Sequence, residues 1–247
     1  MRLGIDVGST TVKLILLDKF DKIIYEKYER HMSNVFEKVK ELLGGMLEEV
    51  GNIDLKCVIT GSGGLALSEK IGARFEQEVI TCSLAVEKLI PETDVVIELG
   101  GEDAKITYFG SAIEQRMNGT CAGGTGAFID QMAILLNTDG DGLNEAAKDY
   151  TVIYPIAARC GVFAKTDIQP LINEGAPMEN LAASIFQAVV NQTIGGLACG
   201  RKIKGNVAFL GGPLTYLSEL RKRFIETLEL SEDEVIFPEN SKYFVAM

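Results

Sequence analysis

Three turns in this 247-residue chain set glycine directly behind a short apolar run: "DVGST" (6–10), "ELGGED" (98–103) and "LGGP" (210–213). Glycine lets backbone N–H groups approach a phosphate with no Cβ in the way. Gly8, Gly100, Gly101, Gly211 and Gly212 are the candidates for that work. Ser9 and Thr10 add hydroxyl donors, and Lys13 adds positive charge. Asp6 and Glu98 each end an apolar run, and two carboxylates brought face to face across a cleft would hold Mg²⁺, mostly through water, against phosphates. A single such turn is satisfied by a tightened hairpin. Three of them, two carrying acids, favour a nucleotide site.

A second chemistry is written in the cysteines. "GTCAGGTGAFID" (119–130) packs four glycines and Cys121 into eight positions before a helical pattern, and "ARCGVFAKTDI" (158–168) sets Cys160 before another. Unpaired N–H groups and the dipole at a helix start stabilise a thiolate, the form that binds metal. On the residues alone, ligand and buried thiol both remain open for this pair. Cys57 in an apolar strand, Cys82 in an expected helix and Cys199 at a helix end read as buried thiols. The single histidine, His31, lies in the polar stretch "YERHMSN" and reads as a surface residue, so histidine catalysis is not expected.

The elements that must position these groups follow from periodicity. Residues 3–7 and 12–17 form a hairpin with a third strand over 23–28, and a helix with Ser33 as N-cap spans 33–50. A strand at 56–60 runs into the glycines of "TGSGG", and helices follow over 65–72 and 78–90. Residues 94–101, 103–110 and 112–117 are three more strands. Helices are expected over 125–136, 143–149, 161–173 with a break near Pro170, 179–200 and 215–228, and "NVAFLGGPL" (206–214) is expected to be a buried strand ending in glycines. The second half repeats the plan of the first. Ile5-Asp6-Val7-Gly8 with Lys13 recurs at the same offsets as Ile97-Glu98-Leu99-Gly100 with Lys105. This repeat predicts two similar lobes, 1–93 and 94–247, the second interrupted by a helical insertion at about 118–180.

A net charge of −11 argues against nucleic acid or an anionic membrane as partner. No apolar run reaches the roughly 18 residues of a bilayer span. Gly4, Gly8 and Asp6 break any signal-peptide core, so the cytoplasm is the expected location and thiols, not disulfides, the expected cysteine state.

"GIDVGST", "ELGGED" and "FLGGP", in this order, resemble the phosphate-1, phosphate-2 and adenosine motifs of the acetate/sugar kinase–Hsp70–actin superfamily. Within it the chain, from Leu3 to about Val245, resembles the BadF/BadG/BcrA/BcrD ATPases, the activators of 2-hydroxyacyl-CoA dehydratases and related benzoyl-CoA reductase subunits. The two cysteine segments are its most specific part. The resemblance implies an α/β fold of two ribonuclease-H-like lobes whose helical insertion carries the cluster cysteines. It also implies ATP/ADP and Mg²⁺ as ligands, and one 4Fe-4S cluster bridging a homodimer through Cys121 and Cys160 of each copy. ATP hydrolysis would then drive an electron from ferredoxin or flavodoxin through that cluster into the dehydratase. Asp6 and Glu98 would position Mg²⁺, Glu102 would orient the attacking water, and Gly211 and Gly212 would contact adenosine. The glycines around Cys121 would supply N–H donors to cluster sulfur, and the helix from about Thr125 would link cluster and nucleotide.

Two departures stand out. Dehydratase activators carry Gln where this chain has Glu102, and "GGEDAK" is more similar to activase domains at the start of longer, dehydratase-fused chains. Family chains also continue past "FVA" into a Gly/Ala-rich helix, so an excised domain or a longer natural chain is expected. Two other functions fit the same fold: a small-molecule kinase, which would need neither cysteine, and a non-enzymatic nucleotide- or redox-sensing domain without turnover.

Overall fold

The computed structural model describes residues 1–118, 123–158 and 160–247. The chain divides into two compact units, Met1–Pro91 with Lys242–Met247, and Glu92–Ser241. The sequence placed residues 242–247 in the second lobe. They pack with the first unit because Tyr243 and Ala246 cover Ile15 and Leu17 of its sheet.

In the first unit β1 (Arg2–Val7), β2 (Thr11–Leu17) and β3 (Ile23–Arg30) form an antiparallel meander. Helix α1 (Val35–Val50) then crosses over, so that β4 (Lys56–Thr60) pairs parallel with β1. After α2 (Gly64–Ile71), the two-residue β5 (Arg74–Phe75) extends the sheet, and α3 (Glu78–Leu89) closes the unit. The strand order is β3-β2-β1-β4-β5. Alternation sets Leu3, Ile5, Val7, Val12, Leu14 and Leu16 against Val39, Leu42 and Met46 of α1, while Ile15 and Leu17 face the opposite side. Both faces of β2 are therefore covered, which is why its sequence is nearly unbroken in apolar residues.

The second unit repeats this order. β6 (Val95–Leu99), β7 (Ala104–Tyr108) and β8 (Glu114–Met117) form the meander. β9 (Val207–Leu210) pairs parallel with β6, and β10 (Val235–Ile236) with β9, giving β10-β9-β6-β7-β8. Between β8 and β9 lie α4 (Gly126–Leu135), α5 (Gly140–Ala146), a 3₁₀ turn at Ala147–Asp149, α6 (Gly161–Asn173) and α7 (Met178–Thr193). Helix α7 takes the crossover place that α1 holds in the first unit, so α4 to α6 have no counterpart there. α8 (Gly212–Tyr216) and α9 (Ser218–Leu228) follow β9.

Helix α7 continues as one π-helical stretch, Ile194–Ala198. Together these 21 residues are long and apolar enough to cross a membrane by composition, and 67% of the apolar window is buried in the fold. They form a core helix, with Leu181, Ile185, Phe186, Val189 and Val190 inside. Each such side chain contributes about 1.5–3 kcal/mol on burial.

Three local expectations are corrected. α1 starts at Val35 with Asn34 as its cap, because Ser33 is left-handed at φ 64° and gives its N–H to a side chain instead. α6 is not broken at Pro170, which sits in its last turn: the buried Ala164 and Ile168 anchor one face on the core. His31 is not a surface residue; it is 7% exposed.

Candidate functional site

The acid–Gly–Lys repeat is a register. Asp6 and Lys13 are direct cross-strand partners on β1 and β2, and Glu98 and Lys105 are the same pair on β6 and β7. Neighbours of this kind stand about 5 Å apart at Cβ, so the seven-residue offset brings each amine back onto its carboxylate. Lys13 Nζ donates to Asp6 Oδ2 at 2.6 Å. Lys105 Nζ lies 3.4 Å from Glu98 Oε1 and 2.7 Å from Asp103 Oδ2. Asp6 and Glu98 are both buried, at 2% and 7% exposure. The two pairs differ in one respect: Lys13 serves its strand-end acid closely, whereas Lys105 leans toward Asp103.

In the first unit the Gly8 N–H donates to Thr11 O at 2.9 Å and closes the turn, which leaves Ser9 exposed. The loop after β4 lies over the end of β1, with the Gly63 N–H on Val7 O at 2.8 Å. Gly61, at φ 97°, comes so close that a Cβ there would sit 2.3 Å from Val7 O and 2.6 Å from Asp6 Oδ1. Next to it Thr60 Oγ1 is buried without a hydrogen-bond partner.

The second unit uses the same approach. Gly211, at φ 91°, follows β9 as Gly61 follows β4, and its missing Cβ would lie 2.1 Å from Leu99 O at the end of β6. The Gly211 N–H bonds Ser241 O at 3.2 Å, and Gly212 opens α8. The turn behind Glu98 closes through Gly100 N–H to Asp103 O at 2.8 Å and leaves Glu102 exposed. Its two carbonyls are taken by the next helix: Gly126 N–H donates to Gly100 O at 3.0 Å and Ala127 N–H to Gly101 O at 2.7 Å. These α4 amides are therefore engaged by protein carbonyls.

Cys160 occupies the N-cap position of the 13-residue α6 and is half-buried. The helix begins against α4, where the position of a Gly161 Cβ would be 3.2 Å from the Phe128 ring. Cys121 lies outside the described residues. Among those described, no three His, Cys, Asp or Glu side chains converge as a metal site. Of the remaining thiols, Cys82 is buried, Cys57 half-buried and Cys199 exposed, so the expectation of burial fails for Cys199. It sits at φ 46°, at the C-cap of the π-helical stretch that ends α7.

Two neighbours of these turns are not legible in the sequence. The "TGSGG" loop reads only as a strand running into glycines, and its likeness to "LGGP" is the one signal it carries. His31 gave none, since its burial comes from packing.

A sequence model of the BadF/BadG/BcrA/BcrD ATPase family matches residues 3–237. An uncharacterized protein of Methanocaldococcus jannaschii is 31% identical over 215 residues, 86% of this chain and 85% of that protein. The 2-hydroxyisocaproyl-CoA dehydratase activator of Clostridioides difficile is 29% identical over 220 residues, 85% of this chain and 80% of its own. The crystal structure of (R)-2-hydroxyglutaryl-CoA dehydratase component A of Acidaminococcus fermentans superposes with a TM-score of 0.86 at 26% identity, covering 99% of this chain and 94% of that one. The two sheets are thus those of the actin/Hsp70-like ATPase fold.

Proposed function

The chain belongs to the BadF/BadG/BcrA/BcrD ATPase family, and from that premise we propose that it is an ATP-dependent activator delivering electrons to a 2-hydroxyacyl-CoA dehydratase-type or related reductase partner. The relatives named as dehydratase activators support this reading. Asp6 and Glu98 position Mg²⁺, held by water between carboxylate and phosphate. Lys13 steadies the Asp6 carboxylate. Ser9, Thr10 and the glycines at 8, 100 and 101 hold phosphates, Glu102 orients the attacking water, and the turn at Gly211 and Gly212 contacts adenosine.

Cys160 suits thiolate ligation, being a half-buried thiol at a helix start, and with Cys121 it would supply two ligands per chain. Two copies complete a four-cysteine set, so the active form is a homodimer. A 4Fe-4S cluster held there would supply one low-potential electron, replenished by ferredoxin or flavodoxin in the cytoplasm.

One observation carries the coupling: the first amides of α4 are hydrogen-bonded to the Gly100 and Gly101 carbonyls. The helix that follows the Cys121 segment is thereby fastened to the turn that would grip a phosphate. A shift of that turn on hydrolysis must move α4 or break both bonds, and each is worth about 0.5–1.5 kcal/mol.

The test is anaerobic reconstitution followed by partner assays. Iron should load at about four per two chains. The Cys121→Ala, Cys160→Ala double variant should keep ATP hydrolysis and lose both iron and electron delivery. A normal iron load in that variant refutes the cluster assignment.

A further inference from the structure

His31 is the chain's single histidine, and it is buried between two backbones. Its N–H donates to Thr10 O at 3.2 Å, and its carbonyl accepts from Asn34 N at 2.7 Å. Its ring lies between the Ser33 N–H, 3.1 Å from Nδ1, and Gly8 O, 3.2 Å from Nε2. An N–H pointed at Nδ1 requires that nitrogen to be bare. The neutral ring then carries its proton on Nε2 and donates to Gly8 O. Both ends of the ring are thus committed.

One end holds a strained turn. Met32 and Ser33 are consecutive non-glycine residues at φ 46° and 64°, a conformation that costs roughly 1–2 kcal/mol per residue. The other end holds the turn between β1 and β2. Gly8 C=O belongs to the same planar trans peptide as Ser9 N–H, and in such a peptide the two bonds point in opposite directions. Fixing the carbonyl on His31 therefore fixes the Ser9 amide pointing away from the ring, from an exposed residue. Gly8 N–H is meanwhile tied to Thr11 O.

We propose that His31 is a positioning residue of the strand-end turn: Nε2–H holds the Gly8–Ser9 peptide so that the Ser9 amide faces the phosphate of a bound nucleotide. The inference rests on the reading of residues 8–10 as a phosphate turn. It assigns to a residue outside the glycine motifs the task of preorganising their donors.

A lone histidine is an unambiguous spectroscopic reporter. In ¹⁵N-labelled full chain, a long-range ¹H–¹⁵N spectrum should show a single imidazole in the Nε2–H form. Adding Mg²⁺ with adenylyl imidodiphosphate should shift its ring nitrogens. A ring that fills space alone would not respond. His31→Leu should weaken binding of the analogue about fivefold, the worth of one hydrogen bond. His31→Gln, whose amide can donate to Gly8 O, should restore it to within about twofold. Unmoved ring nitrogens in wild-type protein saturated with analogue overturn the proposal, as does a His31→Leu affinity equal to wild type. Should His31→Leu not fold, the wild-type spectrum alone decides. Wild-type protein that fails to bind the analogue at all overturns the phosphate-turn reading itself, and with it this inference.

Discussion

Gly61→Ala tests the closest backbone approach in the first unit. The added methyl group would lie 2.3 Å from Val7 O, 2.5 Å from Val7 C and 2.6 Å from Asp6 Oδ1. Two of these three atoms are backbone, in a strand paired on both sides, so they cannot rotate away. Two costs add. The positive φ of 97° costs an alanine about 1–2 kcal/mol, and overpacking costs about 1–3 kcal/mol. Gly72→Ala isolates the first cost: its φ is 69°, and nothing lies within 4 Å of the new Cβ. For a chain of this size each kcal/mol moves Tm by roughly 2–4 °C. Gly72→Ala should then lower Tm by roughly 2–8 °C, and Gly61→Ala by roughly 4–20 °C. The assay is differential scanning calorimetry of both variants beside wild type. ATPase activity provides a second readout, since the clash bears on the Asp6 carboxylate in Gly61→Ala and not in Gly72→Ala. If the two variants melt within about 2 °C of each other, which is less than 1 kcal/mol, the approach of Gly61 to β1 does not constrain the strand end and the reasoning fails.

Lys13→Met leaves the Asp6 carboxylate buried without its amine and should cost about 3 kcal/mol. The double change Asp6→Asn, Lys13→Met should melt closer to wild type than Lys13→Met does, and urea titration of the three proteins checks the order. In the Cys121→Ala, Cys160→Ala background three thiols remain, and Cys199 should react with a disulfide reagent first, being exposed. Burial pushes the Cys57 thiol up, so its rate should keep climbing with pH above about 8.5, where an ordinary thiol is half ionised; a plateau there contradicts the assignment.

The duplication was legible because it is periodic. Acid, glycine and lysine at fixed offsets are what two strands in register require, and both pairs meet across their hairpins. Long strands and helices were legible for the same reason. The two-residue strands β5 and β10 were not, since only a parallel neighbour makes them strands. His31 and Gly61 escaped for a different reason. Nothing adjacent to "YERHMSN" says that the ring will be enclosed by a turn more than twenty residues upstream, and nothing in "TGSGG" says which carbonyl will press on its second residue. Such facts belong to tertiary proximity. Pro170 shows the reverse error: a local breaker was overridden by the buried face of α6.

The parallel pairings also set an order of events during synthesis. β1 meets its partner Lys56 from Arg2, 54 residues on, whereas Val95 of β6 must wait for Val207, 112 residues on. The longer closure adds only about 0.6 kcal/mol of chain entropy, but the delay on a ribosome doubles. Late in that delay α7, a buried core helix, has emerged while the strand that completes its sheet has not. The first unit also finishes last on one face, because Tyr243 and Ala246, which cover Ile15 and Leu17, are translated after the whole of the second. A nascent chain stalled between residues 200 and 240 would therefore display both an uncovered core helix and a half-clad sheet, the state in which this protein has most need of a chaperone.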